Sequence, residues 1–323
     1  MEPERAPAVG EKTAHLLEHA DTVAWGADDG VPVSQDKLAR ENAFDHDHRI
    51  RLDEEHHVYY VDGEIGYVSV STVLHDFFVQ FDPVKTVDMY FAGWVANPES
   101  KYHALINYVR LVQGHESAED QKNAIRMYWS KKGNEASAKG TYFHKQAENY
   151  MNSLPMDESL KETEMFRSWL KSFHPEEALS PFRAEISVMH TRARVAGQID
   201  SLWKDKAGRL WMIDWKRCDP TDGKRKRLDL LGPSMNRFRS DDYGLYPFER
   251  VPNTKYGHYC VQQNCYKHMF EALTGVKIYK MFLVQIHPCM DAAHSVEVAD
   301  LSTEVALVFD TLEASEHDGR AVA

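Results

Sequence analysis

Residues 210–213, Leu210-Trp211-Met212-Ile213, are apolar at successive positions, the pattern of a strand covered on both faces. Two strand-like runs precede it, and only short polar turns separate the three. Residues 182–190, 195–204 and 209–217 are therefore predicted to form an antiparallel meander. Alternation from Val58 to Val73, with Asp62-Gly63 near its middle, predicts a β-hairpin. Residues 84–130 place Trp94, Leu105, Ile106, Val109, Leu111 and Ile125 at spacings suited to buried helix faces. A further helix is predicted from Ser137, carrying His144 and Glu148, and another over 159–173, with Met165, Phe166, Trp169, Leu170 and Phe173 as its apolar side. Beyond these, a helix over 257–273 stops at Thr274-Gly275, followed by a strand at 278–286 and a helix at 302–315. Residues 218–256 have little periodicity and read as a functional loop or lid. The fold class that follows is α/β, a mixed central sheet flanked by helices with an added N-terminal hairpin and helical region. Residues 1–57 are expected to form an acidic arm, poorly ordered or peripheral, 58–133 the hairpin and helices, and 134–323 the core.

Composition narrows the class. A hydrophobic share of 43% with 27% charged residues suits a globular chain of 323 residues. No apolar run approaches the roughly 20 residues of a membrane helix. The start, Met1-Glu2-Pro3-Glu4-Arg5, lacks a signal-peptide pattern, and the four cysteines form no CxxC pair. The expectation is an intracellular protein, cytoplasmic or nuclear, with reduced thiols and no membrane partner. The net charge of −12 is uneven: residues 1–57 hold 14 acidic and 6 basic side chains, so −8 lies there. Lys131-Lys132, Arg192 with Arg194, and Lys224-Arg225-Lys226-Arg227 are basic clusters suited to a phosphate backbone. Total charge neither supports nor excludes a nucleic-acid partner.

The run at 210 is broken by Asp214-Trp215-Lys216, which places an acid and a lysine side by side on one strand face. Burying that pair costs several kcal/mol unless a partner or a metal offsets it. Asp200, ending the run Gly197-Gln198-Ile199-Asp200, brings a second carboxylate to the same place. Such a set suits a divalent-metal site for cleaving phosphodiesters, since Mg²⁺ takes a few hard oxygen ligands. A buried ion pair that fixes strand register is the other reading of Asp214 and Lys216.

Four patterns bear on that choice: Gly140-Thr141-Tyr142-Phe143-His144 (GxxxH), Gly197–Asp200 (GxxD), Asp214–Lys216 (DxK) and Gln262-Gln263-Asn264-Cys265-Tyr266 (QxxxY). In this order they resemble the RecB-like branch of the PD-(D/E)XK nuclease superfamily, similar to viral and phage exonucleases. The resemblance covers roughly 134–290. It implies a restriction-endonuclease-like core and a Mg²⁺- or Mn²⁺-dependent deoxyribonuclease acting on DNA ends or single strands. It further implies His144, Asp200 and Asp214 as metal ligands, and Lys216, Asp214, Asp200 and Glu185 as the catalytic set. Lys216 is expected to hold or deprotonate the attacking water or to balance charge. Glu185 either approaches the metal or pairs with Arg183 or Arg194. Gly140 lets its helix come close to the sheet or the nucleic acid. Gln262 and Tyr266 meet the nucleic acid or steady the lysine, with core packing the alternative for Tyr266. Glu148 is read as a supporting acid or a solvated one. Lys224, Arg225, Lys226 and Arg227 either grip phosphates or form a solvated loop, and Phe238, Tyr243 and Tyr246 are candidates for base stacking. No cysteine precedes Cys218, so no iron–sulfur cluster is expected. The rival functions are a nuclease-derived DNA-binding or assembly module without catalysis, and an RNA-processing nuclease.

Overall fold

A computed structural model of the chain describes residues 37–219 and 243–317. In chain order its elements begin with α1 (Lys37–Glu41), β1 (Ile50–Asp53), β2 (Val58–Val61), β3 (Val68–Ser69) and α2 (Val70–His75). The helices α3 (Pro83–Ala96), α4 (His103–Leu111), α5 (Ala118–Met151) and α6 (Lys161–Ser172) follow. Then come β4 (Ser180–His190), β5 (Val195–Lys204), β6 (Leu210–Lys216), α7 (Lys255–Thr274), β7 (Ile278–Gln285), β8 (His294–Glu297) and α8 (Ser302–His317). The chain divides into two compact units, Met1–Val79 with His144–Ala323, and Gln80–Phe143. Among the described residues no helix is long and apolar enough to cross a membrane.

The first unit is α/β, built on a mixed six-stranded sheet flanked by helices. The meander forms as its turns predict: β4 pairs antiparallel with β5 along its length, and β5 antiparallel with β6. Strand β7 joins β6 in parallel, and β8, which the sequence pattern did not reveal, closes that edge. Strand β5 has a divided second edge. Val195 and Ala196 pair in parallel with β3, whereas Ser201–Lys204 pair with β6. Residues 197–200, the GxxD segment, have no strand partner on that edge among the described residues. The sheet therefore forks at this segment.

The expected hairpin takes a different course. Asp62 and Gly63 both have positive φ and make a tight turn, with Val61 and Glu64 exchanging hydrogen bonds of 2.9 Å. Gly66, at φ +96°, then turns the chain away, and β3 pairs with β5 instead of β2. The partner of β2 is β1, which lies in the segment assigned from sequence to the peripheral arm. Residues 37–57 are packed into this unit. Leu38 and Ile50 are buried, and Arg183 binds Asp47 through Nη1 at 2.8 Å and the Asn42 carbonyl at 2.9 Å.

Helices cover both faces. On one, Phe166 and Trp169 of α6 meet Trp215 edge-on, each with ring centroids 5.1 Å away. On the other, Val261, Met269 and Phe270 of α7 join a core with Ile186, Val188, Ile199, Leu202 and Met212. Helix α7 starts at a Thr254 cap and stops at Gly275, whose φ of +69° is the left-handed geometry that glycine favours. Trp215 thus faces α6 while Asp214 and Lys216 face α7, as alternation along a strand requires.

The second unit buries Val87, Tyr102, Ile106 and Ile125, with Trp94 and Trp129 packed against them. Val109 is buried as predicted, but Leu111 is 73% exposed. The helix expected from Ser137 is the continuation of α5, which runs unbroken from Ala118.

Candidate metal and phosphodiester site

The peptide of Trp215 lies at the fork, where the β5–β6 ladder has ended. Its N–H donates to Asp200 Oδ2 at 2.9 Å, and its carbonyl accepts from His144 Nε2 at 2.8 Å. Two side chains thus take the backbone groups that a longer strand would have paired. A carbonyl can only accept, so Nε2 of His144 carries the proton. The lone pair of a neutral imidazole is then on Nδ1, which lies 3.5 Å from Asp200 Oδ2.

Glu185 completes a group with these two. One ligand atom each from His144, Glu185 and Asp200 lie within 4.8 Å of one another. Glu185 adopts φ +48° in the middle of β4, a left-handed conformation that costs a non-glycine residue about 1–3 kcal/mol. Neither expected arginine partner is available to it: Arg183 holds Asp47, and Arg194 binds the Ile65 carbonyl at 2.6 Å. Burial pushes the Glu185 carboxyl well above its usual range, and the charges of Asp200, Glu148 and Asp214 add to this.

Asp214 and Lys216 form the second half of the site. Lys216 Nζ lies 2.7 Å from Asp214 Oδ2, and Gln263 Nε2 donates to Asp214 Oδ1 at 2.6 Å. Lys216 also donates to Gln262 Oε1 at 3.2 Å and sits 4.5 Å from the centre of the Tyr259 ring. Burial and the Asp200 charge raise the Asp214 carboxyl to about 7, against the pull of Lys216 and Gln263. Burial alone would lower the Lys216 ammonium; Asp214, then Asp200 and Tyr259, overcome this and raise it. Lys216 is thus held protonated, suited to stabilising charge rather than taking a proton.

Tyr259, Gln262, Gln263 and Tyr266 fall at i, i+3, i+4 and i+7, one stripe of α7. Sequence reasoning found two of the four. The signal for Tyr259 and Gln263 was this spacing around the QxxxY pattern. Tyr266 is 8% exposed and lies over Gly197, where an added Cβ would fall 2.4 Å from its Cε1. Its surroundings are those of packing, and the lysine is held by Gln262. At Gly140 a Cβ built on the backbone meets no atom within 4 Å. Glu148, bound to Lys145 at 2.7 Å, is near enough to raise Glu185.

The basic clusters fare unevenly. Lys131 is exposed, Lys132 lies 3.6 Å from Glu135, and Arg192 lies 3.2 Å from Glu313. Arg194 is engaged by the Ile65 carbonyl and the Tyr67 ring. Lys224, Arg225, Lys226, Arg227 and Phe238 lie outside the described residues. Tyr246 is 69% exposed and Tyr243 half-buried.

No protein-family model and no curated protein matches the chain. Among solved structures, one designated SSO0001 aligns over 46% of this chain and 55% of its own, at 16% identity and a TM-score of 0.22. The chain thus spans about half the length of that protein, and a likeness so slight carries no argument about fold or activity.

Proposed function

We propose that this protein is a Mg²⁺- or Mn²⁺-dependent deoxyribonuclease with a restriction-endonuclease-like core of the RecB type, acting on DNA ends or single strands. The observation that carries the reading is the juxtaposition of His144, Glu185 and Asp200 with the Asp214–Lys216 pair at the sheet fork. Three carboxylates face one ammonium group there, an excess of negative charge that a divalent cation offsets. The Glu185 carboxyl is raised first by burial, and the neighbouring charges of Asp200 and Asp214 add to this. Hard oxygen donors with one imidazole fit Mg²⁺ or Mn²⁺.

His144, Glu185 and Asp200 would hold the metal, with Asp214 beside them. A bound divalent ion supplies Lewis-acid stabilisation of a phosphoryl oxygen and acidifies water. The chain's own residues do the rest. Lys216, protonated and fixed by Asp214 and Gln262, offers positive charge to the phosphoryl oxygens as negative charge develops on them. Gln263 holds Asp214 in place, and the Trp215 peptide fixes His144 and Asp200 relative to each other. Asp214, raised to about 7 and outside the three proposed metal ligands, is the group suited to exchanging a proton near neutrality.

End-labelled single-stranded, duplex and flap DNA, with a matched RNA, incubated with Mg²⁺, Mn²⁺ or EDTA, tests the proposal. Metal-dependent DNA products support it. DNA binding with no product in any lane would favour a non-catalytic DNA-binding module, and cleavage of RNA alone would favour RNA processing.

A further inference from the structure

A second set of donors lies just beyond the paired ends of β6 and β7. We propose that Asp219, His287 and Cys289 form a Zn²⁺ site separate from the hydrolytic centre. A carboxylate oxygen, an imidazole nitrogen and a thiol sulfur, one from each, lie within 4.8 Å of one another. The hydrolytic group of His144, Glu185 and Asp200 shares no residue with them.

The sheet sets the spacing of these donors. Strands β6 and β7 remain in register to Lys216 opposite Gln285, and Ile286 N–H donates to the Lys216 carbonyl at 3.0 Å. Gln285, itself buried, donates Nε2 to the Cys218 carbonyl at 3.0 Å. The residues immediately before Asp219 and His287 are therefore tied across the two strands. A turn then brings Cys289 back: Met290 N–H donates to the His287 carbonyl at 2.8 Å, and Cys289 N–H lies 3.2 Å from His287 Nδ1, the acceptor nitrogen at which Zn²⁺ would replace that N–H.

The donor types choose the ion. A thiolate, an imidazole and a carboxylate are the mixture Zn²⁺ accepts, whereas Mg²⁺ selects oxygen. Zinc bonds of about 2.0–2.3 Å put tetrahedral donors roughly 3.3–3.8 Å apart. Closing the present spread to that size takes side-chain rotation, and Asp219 and Cys289 are exposed. The fourth position falls to water. Competition from the other thiols is limited, because Cys218, Cys260 and Cys265 are buried.

The test is Co²⁺ and Zn²⁺ titration of the full chain in excess Mg²⁺, which keeps hard-oxygen sites filled. One thiolate-bound Co²⁺ per chain, seen as a thiolate-to-cobalt charge-transfer band, is expected, whether or not a further Co²⁺ enters the hydrolytic site. Cys289→Ser should abolish the band, and Cys289→Ser and His287→Ala should each weaken Zn²⁺ binding at least about tenfold. Asp200→Asn should keep both band and affinity, and thermal melts of all variants report their folding. No band in the wild type, a band that survives Cys289→Ser, or one lost with Asp200→Asn in a folded protein would overturn the proposal.

Discussion

His144 Nε2 lies 2.8 Å from the carbonyl oxygen of Trp215, so the histidine holds the end of β6 with one nitrogen and offers the other to the site. The two roles separate by mutation. Glutamine can place an N–H donor near the Nε2 position but has no counterpart to the Nδ1 lone pair. His144→Gln is therefore expected to melt near wild type in EDTA while losing most of its stabilisation by Mn²⁺. His144→Ala should lose both, with about 1–3 kcal/mol from the orphaned carbonyl. Thermal melts with and without Mn²⁺ check this. A full Mn²⁺ shift in His144→Gln would remove the imidazole from the metal site.

Gly197 and Tyr266 are coupled by contact. Gly197→Ala puts a Cβ 2.4 Å from the Tyr266 ring and should cost about 1–3 kcal/mol. In a Tyr266→Leu background, with the ring gone, the same change should cost much less. Urea denaturation of the four proteins gives the coupling, and additive effects would refute the contact.

Gly140 should behave in the opposite way. A Cβ there meets nothing, and alanine favours a helix interior over glycine by about 1 kcal/mol. Gly140→Ala is expected to raise the melting temperature of the metal-free protein. A fall would reveal a packing role for this glycine.

Much of the site was legible because strand alternation and helical spacing are local. The three strands of the meander and the neighbourhood of Asp200, Asp214 and Lys216 follow from apolar runs broken by polar turns. The pairing of β3 with β5 was not legible, because Gly66 redirects a chain whose local pattern still reads as a hairpin. Nor was the place of Glu185. Its local alternation left arginine pairing open, and only the tertiary structure shows Arg183 and Arg194 held elsewhere. The spacing of α7 put Gln263 on the stripe of Gln262 and Tyr266, but its role rests on its partner, Asp214, 49 positions away.

The upward shifts of Glu185 and Asp214 set a pH dependence. A carboxyl with a folded pKa above its unfolded value binds its proton more tightly in the native state. Its stability contribution is full below the unfolded value, near 4.5 for Glu185, and is lost as pH rises through the folded one. Without metal, the Asp214 contribution should fall as pH rises from about 3.8 through about 7, and the Glu185 contribution should fall as pH rises above about 4.5. Glu185→Gln should flatten that fall and raise stability at pH 8 in EDTA, while reducing the stabilisation by Mn²⁺. Urea titrations across pH check both, and an unchanged slope in Glu185→Gln would contradict the assignment.

The central claim is that Asp200, Asp214 and Lys216 cut phosphodiesters at the sheet fork. Single-turnover cleavage of end-labelled DNA in Mg²⁺, by wild type and by Asp200→Asn, Asp214→Asn and Lys216→Ala, tests it most directly. The account predicts metal-dependent product from the wild type, abolished by EDTA. Each folded variant should be slower by at least about a hundredfold, the scale of losing one electrostatic group from a transition state. Wild-type cleavage by Asp214→Asn, or no metal-dependent product from the wild type, would contradict it.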